Sequence, residues 1–176
     1  RTMSDSVIIE PIAKDDYQGL FKLVDSERAR LQPFFPVTCA HCSDPRATRA
    51  YIKDMVARAK RREFFCFALR DYEGGAPIGL VFLKEFDWTV PKCETAYFIS
   101  SLYERKGMMT LGLLWAVDFA FTQLGMEKVA ARVDPGNIGS CKVLERCGFE
   151  REGVLRRDYR AADGRLLDLV LYSVLR

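Results

Sequence analysis

A chain of 176 residues with 49% hydrophobic content has the length for one globular domain, spanning residues 1–176, with a sizeable buried core and no room for a second. Its formal net charge of +3 comes from 27 basic and 24 acidic residues without a long run of either sign, which argues against a nucleic-acid arm and suits an anionic ligand without requiring one. The opening Arg1-Thr2-Met3-Ser4-Asp5 is polar and only a short apolar run follows, so no cleavable signal is expected and a cytoplasmic protein is the default.

In chain order, Val7 to Ile12 reads as a first strand, and Asp15 or Asp16 is placed to cap a helix whose Tyr17, Leu20, Phe21 and Val24 share a face. Leu31 to Ser43, with two prolines and two phenylalanines, reads as a loop. Ser43 or Asp44, followed by Pro45, starts a second helix with Tyr51, Ile52, Met55, Val56 and Ala59 inward. From Phe64 the period shortens: Phe64 to Leu69, Ile78 to Trp88 and Cys93 to Ile99 read as three strands, antiparallel by their short connections.

Gly107 to Leu124 is almost wholly apolar. It falls short of the roughly 20 residues of a membrane span and is broken by Gly112, Asp118 and Gln123, so it reads as a helix buried on most sides. Lys128 to Val133 is a strand, Asp134-Pro135-Gly136 a turn, and Ser140 to Cys147 a short helix ended by Gly148. Phe149 to Asp158 and Leu166 to Leu175 form a last hairpin. The mixture predicts an α/β fold with a mixed central sheet and helices on both faces.

Six cysteines in a chain without a signal read as free thiols. Cys39-Ala40-His41-Cys42 offers three zinc ligands, yet a closed site needs four and no second close pair follows, so no metal is expected. The only histidine, His41, reads as a loop residue.

The polar turn Glu104-Arg105-Lys106-Gly107 runs straight into Met108-Met109-Thr110-Leu111. A glycine turn flanked by two cations at a helix start suits a pyrophosphate, because the first backbone N–H groups lack internal partners and sit at the positive end of the helix dipole. Gly107 and Gly112 have P-loop spacing, but Leu113 and Leu114 stand where Lys and Ser or Thr belong; a dinucleotide fingerprint lacks two of its glycines.

These segments resemble the GNAT N-acetyltransferases, and within them the ribosomal-protein N-terminal acetyltransferases of the RimJ/RimL type. The motifs that carry the resemblance are Glu94-x-x-Tyr97, Lys106-Gly107-Met108-Met109-Thr110, Asn137-x-x-Ser140-x-x-Val143-Leu144-Glu145-x-x-Gly148-Phe149 and Glu152-Gly153-x-Leu155-Arg156, in the family's order. Leu31-x-Pro33-Phe34-Phe35-Pro36 is similar to a segment of the same branch. Glu104, Arg105 and Leu111 depart from the family pattern; an acid at Glu104 repels a diphosphate unless it turns outward.

The resemblance implies a mostly antiparallel sheet whose strands 4 and 5, Cys93 to Ile99 and Lys128 to Val133, splay to admit the pantetheine arm of acetyl-CoA, the cosubstrate. It implies that Arg105, Lys106, Gly107, Met108, Met109 and Thr110 hold the pyrophosphate and that Ile99 and Ser100 meet the pantetheine or the thioester carbonyl. Asn137 can donate and accept at once, which suits the amide-rich arm, or it satisfies its own turn. Ser140 matches the position of a hydroxyl near the CoA sulfur, and also suits a helix N-cap. Glu94 matches a candidate base, or anchors a neighbouring strand; Cys141 reads as a small buried side chain.

Tyr97, Phe34, Phe35 and Trp88 line the acceptor mouth or belong to the core. The implied activity is acetyl transfer from acetyl-CoA to a primary amine, with a peptide or protein N-terminus preferred over a polyamine or aminoglycoside because Lys84 and Lys92 dilute the charge of Glu85, Asp87 and Glu94. A non-catalytic acyl-CoA-binding module is the alternative of a different class. No nucleic-acid or membrane partner is expected, and the assembly is a monomer or a homodimer.

Overall fold

Phe67 and Leu69 alternate with Cys66 and Ala68, and Val81 and Leu83 with Leu80 and Phe82; all are buried, so these strands are apolar on both faces and require cover on both. The structure, a computed structural model, describes residues 2–3, 7–71 and 73–176. Most of the polar opening, Arg1 with Ser4 and Asp5, lies outside the described residues.

The strands are β1 (Thr2–Met3), β2 (Val7–Pro11), β3 (Phe65–Asp71), β4 (Gly79–Asp87), β5 (Lys92–Ile99), β6 (Lys128–Val133), β7 (Glu150–Arg160) and β8 (Leu166–Leu175). They form one sheet in the order β1-β2-β3-β4-β5-β6-β8-β7. Among the described residues every neighbouring pair is antiparallel except β5 and β6, which are parallel because a helix crosses between them. Strands 4 and 5 of the sequence reading are β5 and β6.

One face is covered by that crossover helix, α4 (Met108–Thr122), whose Met109, Leu113, Ala116, Val117 and Ala120 share a core with Phe67, Leu69, Val81 and Leu83. Gly112 lets it approach: a Cβ there would lie 2.8 Å from Leu69 Cδ2. The helix is buried on most sides but not all: Leu111, Leu114, Asp118 and Thr122 form an exposed stripe, so two leucines of the apolar run face outward. No helix among the described residues is long and apolar enough to cross a membrane.

The opposite face is covered by α1 (Tyr17–Leu31), α2 (Pro36–His41) and α3 (Pro45–Lys60), which pack Leu20, Val24, Ile52 and Met55 on Cys66, Ala68, Leu80, Phe82 and Phe98. Asp44 caps α3 by accepting from Ala47 N at 2.7 Å, with Pro45 in the first turn. Two readings need correction. The segment Leu31 to Ser43 holds a short helix, α2, because Pro36 opens it and Thr38 and Cys39 are buried by it. Asp16 does not cap α1 with its side chain; its carboxylate accepts from Ala13 N and pairs with Arg70 at 2.7 Å, anchoring a 3-10 turn to the sheet.

The β5–β6 ladder pairs Lys92 with Lys128, Cys93 with Val129 and Glu94 with Ala130, and stops there, while β5 continues to Ile99 along β4. The expected splay is present. Since Ser100 N donates to Ile78 O at 2.7 Å, toward β4, the backbone groups of Ile99 one residue earlier point the other way, into the opening.

Candidate active site

Gly107 is the N-cap of α4 with φ +75°, and no side chain caps the helix. The first bond into the helix is Leu111 N to Gly107 O at 3.2 Å, which leaves the N–H groups of Met108, Met109 and Thr110 without acceptors among the described residues. Both methionine side chains are buried, so only their backbone faces outward. A Cβ on Gly107 would meet nothing within 4 Å; the left-handed φ, and not space, requires glycine. Arg105 also has a positive φ, +62°, turning the chain so that Arg105 and Lys106 flank the helix start. Glu104 is held away by Arg30, whose Nη1 lies 3.1 Å from Glu104 Oε1.

Inside the opening, Tyr97 Oη lies 2.9 Å from Ser140 Oγ and donates to Ser140 O at 3.1 Å. Burial, partly offset by the bond to Ser140, pushes the Tyr97 phenol well above its ordinary value, so it stays protonated. Sequence reasoning left Tyr97 either at the mouth or in the core and gave it no role in proton transfer; the pairing with a residue 43 positions later carries no local signal. The Ser140 cap reading is corrected as well. Asn137 is the N-cap of α5 (Ile138–Arg146) and its Oδ1 accepts from Ser140 N at 3.1 Å, so the helix begins earlier than expected and Ser140 sits in its first turn. Asn137 Nδ2 has no partner among the described residues.

Glu94 lies on the other face. Along β5, Cys93, Tyr97 and Ile99 join the α4 core whereas Ala96 and Phe98 join the α1–α3 core, so Glu94 points to the α1–α3 side by alternation. There Arg132 of β6 lies 3.5 Å from Glu94 and 3.0 Å from Asp158. Burial works against the Arg132 charge, but the carboxylates of Glu94, Asp158 and, less strongly, Glu85 outweigh it and raise the guanidinium above its ordinary range. Glu94 therefore does bridge to a neighbouring strand, while part of its side chain stays accessible on the α1–α3 face.

Ile99 O accepts from Arg30 Nη2. Ser100 is spent on structure: its N–H binds Ile78 O, and its Oγ accepts from Leu102 N at 3.3 Å. The aromatics divide. Phe35 packs on Phe98 and Phe82 in the core, whereas half-exposed Phe34 stacks on Tyr159 at 5.5 Å, and Tyr159 donates to Pro33 O at 2.6 Å. Trp88 stacks on Phe86 beside the hairpin that opens β5, at the opposite end of that strand from Ile99. His41 stacks on Tyr51 at 4.8 Å. All six cysteines are free; Cys141 is half-buried and the other five are buried.

A sheet that opens beyond its parallel pair, with outward backbone donors at one end of the opening and paired hydroxyls within it, is the architecture of an acyl-CoA-dependent transferase. Residues 6–150 match the acetyltransferase (GNAT) domain, and the chain belongs to that family: it is an acetyl-CoA-dependent N-acetyltransferase. It is 27% identical over 176 residues to the ribosomal protein uS5-alanine N-acetyltransferase of Escherichia coli (strain K12), covering 99% of this chain and 90% of the relative. It is 32% identical over 85 residues to the spermidine N(1)-acetyltransferase of the same organism, 48% of this chain and 46% of the relative. The structure matches RimL, the ribosomal L7/L12 α-N-protein acetyltransferase, in complex with coenzyme A, with a TM-score of 0.89 at 15% identity, over 99% of this chain and 96% of that one; the fold is shared.

Proposed function

We propose that residues 1–176 form one acyl-CoA N-acyltransferase domain that moves an acetyl group from acetyl-CoA to a peptide or protein N-terminal amine, by direct attack of the amine on the thioester. The observation that carries this reading is the placement of Glu94 and the Tyr97–Ser140 pair on opposite faces of one slot. Base and acid then stand on either side of the reacting carbon, as a one-step transfer requires.

The N–H groups of Met108, Met109 and Thr110 bind the pyrophosphate, and Arg105 and Lys106 neutralise it. The slot-facing N–H of Ile99 supplies a donor at the level of the thioester, its carbonyl being held by Arg30, and Asn137 Nδ2 meets the pantetheine amides. Ser100 contributes by fixing the strand end. Glu94, paired with Arg132, removes a proton from the incoming ammonium, directly or through water. On the other face the Tyr97–Ser140 pair delivers a proton to the departing thiolate: when the Tyr97 hydrogen turns from Ser140 O to Ser140 Oγ, the Ser140 hydrogen is free to turn into the slot. Acetyl-CoA supplies the activated acetyl group.

A peptide N-terminus is supported by the similarity to the uS5-alanine enzyme over nearly the whole chain and by Arg132, which neutralises the Glu94 and Asp158 carboxylates that a polycation needs. The shorter match to the spermidine enzyme supports a polyamine as the second reading. A panel assay following CoA release separates them. Peptides with free N-termini are expected to be acetylated; turnover of polyamines or aminoglycosides with none of peptides would overturn the acceptor assignment.

A further inference from the structure

Glu104 is an acid beside a site that must receive a diphosphate, and α1 supplies the answer to it. Arg30 reaches the turn from the opposite face of the sheet: Nη1 pairs with Glu104 at 3.1 Å, Nη2 donates to Ile99 O, and Nε is held by Glu27 at 2.8 Å. Glu27 is buried and its other oxygen accepts from Ser101 N at 2.7 Å and Ser101 Oγ at 2.8 Å. Burial disfavours the Glu27 charge, but the bonds from Ser101 and Arg30 outweigh it and hold the carboxyl below its ordinary value. The chain from Glu27 through Arg30 thus grips both ends of the segment Ile99 to Glu104, which joins the slot to the phosphate turn.

We propose that Arg30 is a positioning residue of the acetyl-CoA site, cancelling the Glu104 charge and fixing the strand end at Ile99 so that the backbone donors of the turn receive the pyrophosphate unopposed. The proposal rests on the assignment of the turn to pyrophosphate. Three contacts of one guanidinium, all to the segment between Ile99 and Glu104 or to the residue that clamps it, point to this role; a solvated surface arginine would not be tied at every nitrogen.

The test uses Arg30→Gln, which removes the charge while keeping hydrogen-bonding groups beside buried Glu27, with Glu104→Gln and the double variant. Arg30→Gln is expected to raise the acetyl-CoA KM about tenfold at low salt, with kcat within about twofold, and the increase is expected to shrink as salt screens the exposed charge. Adding Glu104→Gln is expected to recover most of the lost affinity, which a merely structural role of Arg30 cannot produce. An unchanged KM in Arg30→Gln, or a double variant no better than the single one, overturns the proposal. Reversing Arg105 and Lys106 to Glu is measured alongside: unchanged KM there removes the pyrophosphate assignment and this proposal with it, whereas a raised KM there with a normal Arg30→Gln enzyme overturns Arg30 alone.

Discussion

Tyr97 of β5 and Ser140 of α5 meet across the opening at 2.9 Å, linking a strand and a helix through their hydroxyls. Two groups that share one proton path are coupled, so their removal is not additive. Ser140→Ala is expected to lower kcat about tenfold with little change in acetyl-CoA KM, because a thiol of ordinary pKa about 8.5 leaves with modest help. Tyr97→Phe is expected to do the same, and the double variant little more. A normal kcat in Ser140→Ala would remove the proton-delivery role.

Gly107 takes a left-handed φ in open space, so its replacement tests conformation without a clash. Gly107→Ala is expected to cost about 1 kcal/mol, lowering Tm by about 2–4 °C, and to raise the acetyl-CoA KM by misaiming the three donors of α4. Thermal melts with and without CoA check both. Equal stabilisation of variant and parent by CoA would show that the donors do not contact it.

Glu94→Gln keeps the shape of the side chain and the neighbouring Arg132 while removing the base. A loss of about a hundredfold in kcat/KM for the amine, with unchanged acetyl-CoA KM, is expected of a general base. A loss below about threefold accompanied by a lower Tm would assign Glu94 to strand anchoring alone, since a shared ion pair of this exposure stabilises by about 1 kcal/mol or less.

Buried thiols set the alkaline limit. Burial pushes Cys42 and Cys147 up to about 11 and Cys93 up to about 12. Their folded-state values lie above the ordinary one near 9, so the native state keeps protons that the unfolded chain releases, and their contribution to stability is present below pH about 9 and lost as pH rises toward 11–12. Tm is expected to fall across that window. Cys93→Ala, whose own cavity cost is independent of pH, is expected to flatten the fall; an unchanged slope would contradict the buried-thiol account.

Much of the fold was legible because its signals are local. The period change at Phe64, the Asp44–Pro45 start, the apolar run of α4 and the glycine stop at Gly148 each act within one element, and Gly148 takes a positive φ. The glycine turn that starts α4 was legible for the same reason. Contacts between distant segments were not: Arg70 taking Asp16 from its helix, Arg132 bridging Glu94 to Asp158, Tyr97 meeting Ser140 and Arg30 answering Glu104 each join residues 26 to 74 positions apart. The short helix α2 escaped because six residues that begin at a proline carry too little periodicity to separate a helix from a loop.

Direct transfer within the slot is tested most directly by intact-mass measurement of the enzyme with acetyl-CoA alone and then with a peptide bearing a free N-terminus. The account predicts no acetyl group on the protein in either case and a peptide acetylated at its α-amine in the second. An acetylated enzyme that passes its acetyl group to the peptide, or a peptide left unmodified while polyamines are consumed, would contradict it.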